Sequence, residues 1–566
     1  MSRQSEPLAP QTNVSQWLDA FFAAYYRERP IDATFIGRHE YDRLLPDFSE
    51  AGLDDAVESM RYLLQRGDEL VLADASETEM IDVRLATGFL RIQIWEMLSS
   101  HFQRGNPSLY AGEAIFGILS LFLSDYAPLS ERFEAAIERM RRIPDFLAQA
   151  RSTIRLAPAA WAERALDECA GADHFLGTGI YLLAAEHNID DDRIHDAAKR
   201  ARAAFAAFAH DLRYEITVSS EAEYGCGEEA FTLFMREGHG LSYSGDEMIR
   251  YAQEALRKAD DTLRSQAGVW GMHDPADVLA QLANLHPTRA EYYERYEAYW
   301  QACRTFATEQ DLLTWPDSPI EYVPRPTWVR KTAPHLYFLF YRTPPAFNQP
   351  SVHQYLVSPL PDTTSAGEQE AFLRAHNDSV IKLNHVIHHG AIGHHIQNWH
   401  ACRARSRIGR VAAVDGSARI AMFCGGSMAE GWACYATELM REAGFLTPLE
   451  EYAEVQTRRR MSARAIVDVK LHRGEFTLDE AAAFYVQQAG MSPAAAHSEA
   501  VKNSMFPGAA MMYLFGTDAI YDLRRELEAK AGARFSLRRF HDTFLSYGSI
   551  PVALVAESMR SRGDIF

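Results

Sequence analysis

Apolar residues recur at helical spacing almost from the start of the chain. Within 15–29, Trp17, Leu18, Phe21, Phe22 and Tyr25 share one face, and Pro30 ends the pattern. Residues 31–52 read as a polar and aromatic connector. Helical patterning then runs nearly unbroken over 53–307. Ser76-x-x-Glu79 has the form of a capping box opening a helix through Trp95 and Met97. Pro107, Pro128, Pro144 and Pro158 are expected to separate successive helices, and the alanine-rich stretch 197–209 suits close helix packing. The most apolar run, 114–123, is too short to span a bilayer and reads as a buried helix.

The pattern changes at Asp311. Ten prolines between Pro316 and Pro361 exclude long helices, and the β-branched and aromatic character of 336–341 and 352–357 predicts two short strands. Helical periodicity returns over 368–383, is expected to continue through 396–401, and recurs over 428–443 before Gly444. The fold class is therefore mainly α, with a small β element beside a helix rich in histidine. Three stretches follow: a helical region 1–310, a proline-rich β segment 311–361 and a helical region 362–566. With no internal repeat and no low-complexity linker between them, they read as one continuous unit.

Charge narrows the classes of partner. The net charge is −20, and no basic stripe is long enough to neutralise a phosphate backbone, so a nucleic-acid partner is not expected. Arg458-Arg459-Arg460 reads as a solvated helix face. The first residues lack the apolar core of a signal peptide, and the six cysteines include no Cys-x-x-Cys pair. Together these point to a cytoplasmic protein that engages no membrane and has no thiolate zinc site.

The chemistry concentrates in His388-His389-Gly390-Ala391-Ile392-Gly393-His394-His395, which holds four of the 21 histidines. Neutral imidazole is the commonest metal ligand in proteins. In a straight helix His388 and His395 would lie about 10 Å apart, too far to share an ion. Gly390 and Gly393 permit a bulge or kink that brings His388 to His394 or His395. Helical zinc hydrolases commonly add a carboxylate from a later helix as third ligand, leaving one position for water. Glu430 stands where that carboxylate is sought. The same glutamate also completes a capping-box pattern, Ser427-x-x-Glu430.

With its second motif, Glu430-Gly431-Trp432-Ala433-Cys434-Tyr435, the octet resembles the bacterial domain-of-unknown-function family 885. These metallopeptidase-like proteins carry H-E-x-x-P-G-H-H followed by E-G-W-A-x-Y. The resemblance spans nearly the whole chain. It includes Gly37-Arg38-His39-Glu40-Tyr41-Asp42, Gly227-Glu228-Glu229-Ala230-Phe231, Asp311-Leu312-Leu313-Thr314-Trp315-Pro316, Pro507-Gly508-Ala509-Ala510, Phe540-His541-Asp542 and Gly548-Ser549-Ile550-Pro551. It implies a zincin-like or gluzincin-like catalytic region with one divalent ion, zinc first and iron or manganese as alternatives. The ion would be held by His388, by His394 or His395, and by Glu430. Tyr513 and His541 become candidates for contacting substrate or a developing oxyanion.

Three positions depart from that pattern. His389 stands where the family has its glutamate, Ile392 where it has proline, and Ala509 where it has glutamine. Without the glutamate, His389 becomes the candidate base. It is alternatively an extra ligand with His385, four residues earlier, in a site better suited to iron or manganese. The expectation is a metal-dependent enzyme that hydrolyses a peptide or amide bond. The alternatives are a metal-dependent lyase or other non-hydrolytic enzyme acting on a small molecule, and a degenerate scaffold that only binds.

Overall fold

The computed structural model describes residues 13–562, apart from 221–222, 273–274, 338 and 362–364. Helix α1 (Val14–Glu28) opens with an Asn13 capping box and buries the anticipated stripe. Trp17 is fully buried, and its indole donates to the Leu63 carbonyl at 3.0 Å. The helix ends just before Pro30 as expected, at Glu28, with Arg29 outside helical geometry. Because proline needs no backbone donor in a first helical turn, Pro30 also starts α2 (Pro30–Ile36), inside the expected connector.

Helix α3 (Glu77–Leu98) carries the Ser76/Glu79 capping box. Pro107 opens α4 (Pro107–Leu119), which contributes much of the anticipated buried apolar run. Pro128 caps α5 (Leu129–Thr153), but Pro144 lies inside that helix and does not end it. Helix α6 (Tyr292–Glu309) then leads into the proline-rich segment.

In that segment Ile320–Pro324 (β1) pairs in parallel with His353–Val357 (β2). The second expected strand is therefore present, but residues 336–341 do not form the first. Turns at Thr327–Val329 and Ala333–His335 precede that stretch, and Phe340 offers β2 one carbonyl, to Leu356 N at 2.8 Å. The stretch 362–364 between this segment and the next helix is outside the described residues.

The helix anticipated over 368–383 is broken. After α7 (Ala366–Ala375), the Asn377 side chain accepts from Ser379 Oγ at 2.6 Å and Val380 N at 3.1 Å. It thereby restarts the chain as α8 (Val380–Gly390), which is π-helical. A turn at 391–393 leads to α9 (His394–Ala401). Helices α10 (Gly426–Glu442), α11 (Pro448–His472), α12 (Pro493–Met505), α13 (Met511–Ala531) and α14 (Leu537–Leu545) complete the part that surrounds the histidines.

The fold is thus mainly α, with only two small two-stranded sheets among the described residues. Its largest apolar core runs from Val14 to Met559 and includes Trp300, Tyr355 and Trp432. All three anticipated stretches contribute to it. No described helix is long and apolar enough to cross a membrane.

Candidate metal centre

The two glycines of the octet let the backbone turn tightly between α8 and α9. A Cβ on Gly393 would collide with the His388 carbonyl oxygen and lie 2.6 Å from its carbon, and a Cβ on Gly390 would strike the Tyr322 hydroxyl. Two tryptophans hold this turn from opposite sides. Trp300 Nε1 of α6 donates to the Gly390 carbonyl at 3.0 Å, and Trp432 Nε1 of α10 donates to the Ile392 carbonyl at 2.9 Å. Each bond satisfies a buried acceptor, so each makes the turn costly to open.

Helix α10 is brought up by a glycine crossing. Gly431 and Gly516 meet where α10 passes α13, and a Cβ on Gly431 would come within 2.7 Å of the Gly516 backbone. The Gly548-Ser549-Ile550-Pro551 loop and the residue after it tie α9 to α10. Ser549 accepts from Gln397 of α9 at 2.7 Å, while Val552 N donates to Ser427 of α10 at 3.3 Å.

The outcome is a convergence of lone pairs. Glu430 Oε2 lies 3.4 Å from His388 Nε2 and 3.5 Å from His394 Nε2. That oxygen is buried and has no hydrogen-bond partner among the described residues. Metal–ligand bonds of about 2.0–2.1 Å at tetrahedral angles place neighbouring ligand atoms roughly 3.3–3.4 Å apart. The spacing, the unpartnered oxygen and the two-imidazole, one-carboxylate donor set therefore fit a divalent first-row ion. Glu430 does not serve as a cap, since Gly425 occupies the N-cap of α10.

His389 joins the group: ligand-capable atoms of His388, His389 and His394 lie within 4.8 Å of one another. Its Nδ1 donates to the Asn384 carbonyl at 2.7 Å, which leaves Nε2 with a free lone pair. Phe340 packs edge-on to its ring at 4.8 Å, and Tyr341 stacks on His394 at 6.3 Å. Burial, with His388 and His394 alongside, pushes the His389 pKa well below the ordinary histidine value. Burial also lowers His388, against the pull of Glu430. For Glu430, burial alone would raise the carboxyl, but His394 and His388 outweigh it and hold the group well below the usual carboxylate range. Glu430 thus rests as an ionised carboxylate, the form in which it can ligate a metal.

The other anticipated residues are placed differently. His395 turns away, with Nε2 donating to the Ser318 carbonyl at 2.9 Å. His385 accepts or donates at 2.6 Å with the Tyr355 hydroxyl, beneath Phe340. His541 is fully buried, its Nδ1 on the Leu312 carbonyl at 2.6 Å and its Nε2 on the Tyr435 hydroxyl at 2.7 Å. Next to it, Asp542 accepts from the Thr314 backbone at 2.9 Å. The His541-Asp542 pair thus pins the Leu312–Thr314 loop and does not reach the histidine cluster. Tyr513 lies on α13 one turn before Gly516, which meets Gly431 of α10; burial, with Glu430 adding to it, raises its hydroxyl pKa. Asn384 and Trp300 carry no motif and are missed by sequence reasoning, whereas Trp432 was visible within Glu430-Gly431-Trp432-Ala433.

The family model for bacterial proteins of unknown function, DUF885, matches residues 30–559. The chain belongs to DUF885. Two solved structures share this family member's fold, each with a TM-score of 0.76. One is a protein of unknown function from Shewanella oneidensis, provisionally called a lipoprotein. It is 21% identical, and the match covers 97% of this chain and 100% of that one. The other, from Colwellia psychrerythraea and given the same provisional description, is 15% identical, with 97% and 99% covered. At such identities the likeness extends to the fold alone. No curated protein matches this DUF885 chain.

Proposed function

We propose that the chain is a metal-dependent enzyme with a zincin-like site, in which His388, His394 and Glu430 hold one divalent ion, zinc before iron or manganese. The observation that carries this is the unpartnered Glu430 Oε2, set 3.4 and 3.5 Å from two imidazole nitrogens. A bound ion would supply Lewis acidity and would lower the pKa of a coordinated water toward neutrality.

The chain's own groups divide the remaining work. Glu430 brings negative charge to the site, and the Asn384 carbonyl fixes the His389 tautomer so that Nε2 can accept a proton. Burial keeps His389 neutral at physiological pH, as a base requires. Tyr513, on α13 where that helix meets α10, carries a protonated hydroxyl, able to donate to a substrate oxygen. Hydrolysis of a peptide or amide bond is the reaction this set serves best. A reaction that begins by abstracting a proton from carbon is the second reading. It is favoured by the departure at position 389, where an imidazole stands in place of the glutamate expected to activate water.

Elemental analysis of untagged protein tests the proposal. About one equivalent of metal is expected in wild type and is lost in His388→Ala, His394→Ala and Glu430→Ala, whereas His389→Ala keeps its metal and loses turnover. Wild-type protein that takes up no metal on reconstitution overturns the enzyme proposal. Loss of metal in His389→Ala would make His389 a ligand and remove it as the base.

A further inference from the structure

Just beyond α9 the chain carries Arg403, Arg405, Arg407 and Arg410 within eight residues. Two of them are committed inside the protein: Arg407 pairs with Asp19 at 2.8 Å, and Arg410 donates to the Ala404 carbonyl at 2.6 Å. Arg403 and Arg405 instead line a cavity of about 280 Å³, to whose wall Arg562, Thr78, Ser546 and Tyr547 also contribute. No acidic residue lines it among the described residues. The run Arg458-Arg459-Arg460 offers a contrast. There Arg458 pairs with Glu438 and Asp518 and Arg459 with Asp260, so that run is largely a pairing surface between helices and not the solvated face its sequence suggests.

The donors around the cavity are largely free. Arg405 has no ion pair or hydrogen bond among the described residues. Arg403 uses one nitrogen, Nη1, for the Trp399 carbonyl at 2.9 Å and for Gln349 at 3.2 Å, while its guanidinium stacks 4.1 Å from the Trp399 ring centroid. Stacking holds that fork in place and leaves its other nitrogens for a ligand. Arg562 makes one ion pair, with Glu77 at 3.4 Å, between side chains 47% and 42% exposed, and such pairs are weak. Its guanidinium also lies 5.4 Å from the centre of the Tyr547 ring. The Tyr547 hydroxyl is buried and has no hydrogen-bond partner among the described residues, a costly arrangement unless something else supplies one. Behind the wall, buried Asp82 is saturated by the Ser406 hydroxyl and by the Arg407 and Ile408 amides at 2.8 and 3.2 Å. The wall itself thus presents three positive groups and no negative one, in a chain of net charge −20.

This cavity is separate from the metal centre. None of His388, His389, His394 and Glu430 lines it, and roughly 10 Å of helix lies between His394 and Ala401, after which Arg403 and Arg405 follow. Its size selects among anions. At about 30 Å³ for each water in the liquid, it has room for roughly nine such units, more than inorganic phosphate needs and enough for a phosphoryl group on a small organic body. A carboxylate offers two oxygens, whereas a phosphoryl group presents three, and guanidinium forks match phosphate oxygens in pairs.

We infer that Arg403, Arg405 and Arg562, with the Tyr547 hydroxyl, bind the phosphoryl group of a small phosphorylated metabolite at a site distinct from the metal centre. A phospholipid headgroup offers the same chemistry, but a chain of net charge −20 is repelled by an anionic membrane surface, which favours a free molecule.

The test is calorimetric titration of the full chain with glycerol 3-phosphate, glycerol and succinate. Wild type is expected to bind glycerol 3-phosphate saturably, at least about tenfold more tightly than succinate, and glycerol not at all. Arg405→Met and Arg562→Met alter exposed side chains and should each weaken binding about tenfold. Tyr547→Phe should weaken it about threefold or more while leaving the thermal midpoint of the ligand-free protein unchanged or raised, because the hydroxyl has no partner to lose. Glu430→Ala should bind as wild type does. The inference is overturned if wild type gives no saturable binding, if succinate binds as tightly, or if both arginine variants keep full affinity. Loss of binding in Glu430→Ala alone would move the anion to the metal centre and overturn it equally. Arg405-dependent flotation with phosphatidylglycerol vesicles, without binding of glycerol 3-phosphate, would overturn the free metabolite in favour of a lipid headgroup.

Discussion

Replacing Gly393 by alanine perturbs the candidate site without touching any ligand. An ideal Cβ there would lie 2.6 Å from the His388 carbonyl carbon and 2.8 Å from the Ile387 oxygen, where ordinary contact begins at 3.4 Å. The differences, 3.4 − 2.6 and 3.4 − 2.8, require a shift of at least about 0.6–0.8 Å in the backbone that carries His388, and more at its carbonyl oxygen, which lies nearer still, in an interior packed too tightly to absorb it freely. Metal sites tolerate only about ±0.2 Å in ligand placement. Overpacking of this kind costs about 1–3 kcal/mol, and displaced ligand supports typically cost about 10–100-fold in metal affinity. A 100-fold weaker site also forfeits up to about 2.7 kcal/mol of metal-linked stability.

The assay is competitive metal titration together with thermal unfolding of the metal-free and metal-loaded protein. Gly268→Ala is the control. Nothing lies within 4 Å of its Cβ position, near the end of a regular helix, so alanine there is expected to be neutral or stabilising by up to about 0.5–1 kcal/mol. Gly393→Ala protein that binds metal as tightly as wild type would refute the contact argument. So would equal destabilisation of the two variants.

Other outcomes follow from single contacts. Trp432→Phe leaves the Ile392 carbonyl without its donor and should cost about 1–3 kcal/mol by denaturant titration, with weaker metal binding; an unchanged midpoint and affinity would remove the clamp from the account. His395→Gln should keep full metal content, because His395 Nε2 is engaged with Ser318, and metal loss in that variant would return His395 to the ligand set. Burial lowers the His541 pKa to about 3. The histidine is therefore less protonated in the folded than in the unfolded chain, and its contribution is complete above about pH 6.5 and lost as pH falls toward the folded value. The stability gap between wild type and His541→Gln should accordingly narrow by about 2 kcal/mol between pH 7 and pH 5. Urea midpoints at the two pH values measure it, and a constant gap would show that His541 is not held neutral.

Features that depend on neighbours along the chain were legible in the sequence. The stripe of α1 follows from helical spacing, and the Ser76/Glu79 box from short-range hydrogen bonding. The octet's density of imidazole and its two glycines announced both a candidate site and the turn that builds it. The small sheet was read less well: 352–357 was placed within a residue of β2, while β1 was missed, because parallel pairing joins segments nearly thirty residues apart and leaves no local turn signal.

Sequence alone therefore determined the mainly helical character of this protein and the positions of His388, His394 and Glu430 as candidates, because periodicity, capping and residue type act over a few residues. The tertiary structure decided which candidates meet. His394 faces Glu430 while adjacent His395 faces Ser318, a choice made by the direction in which α9 leaves the turn. The same packing engages His541 with Leu312 and Tyr435, away from the histidine cluster. Side-chain direction and charge balance depend on elements distant in sequence, and only their packing together sets them.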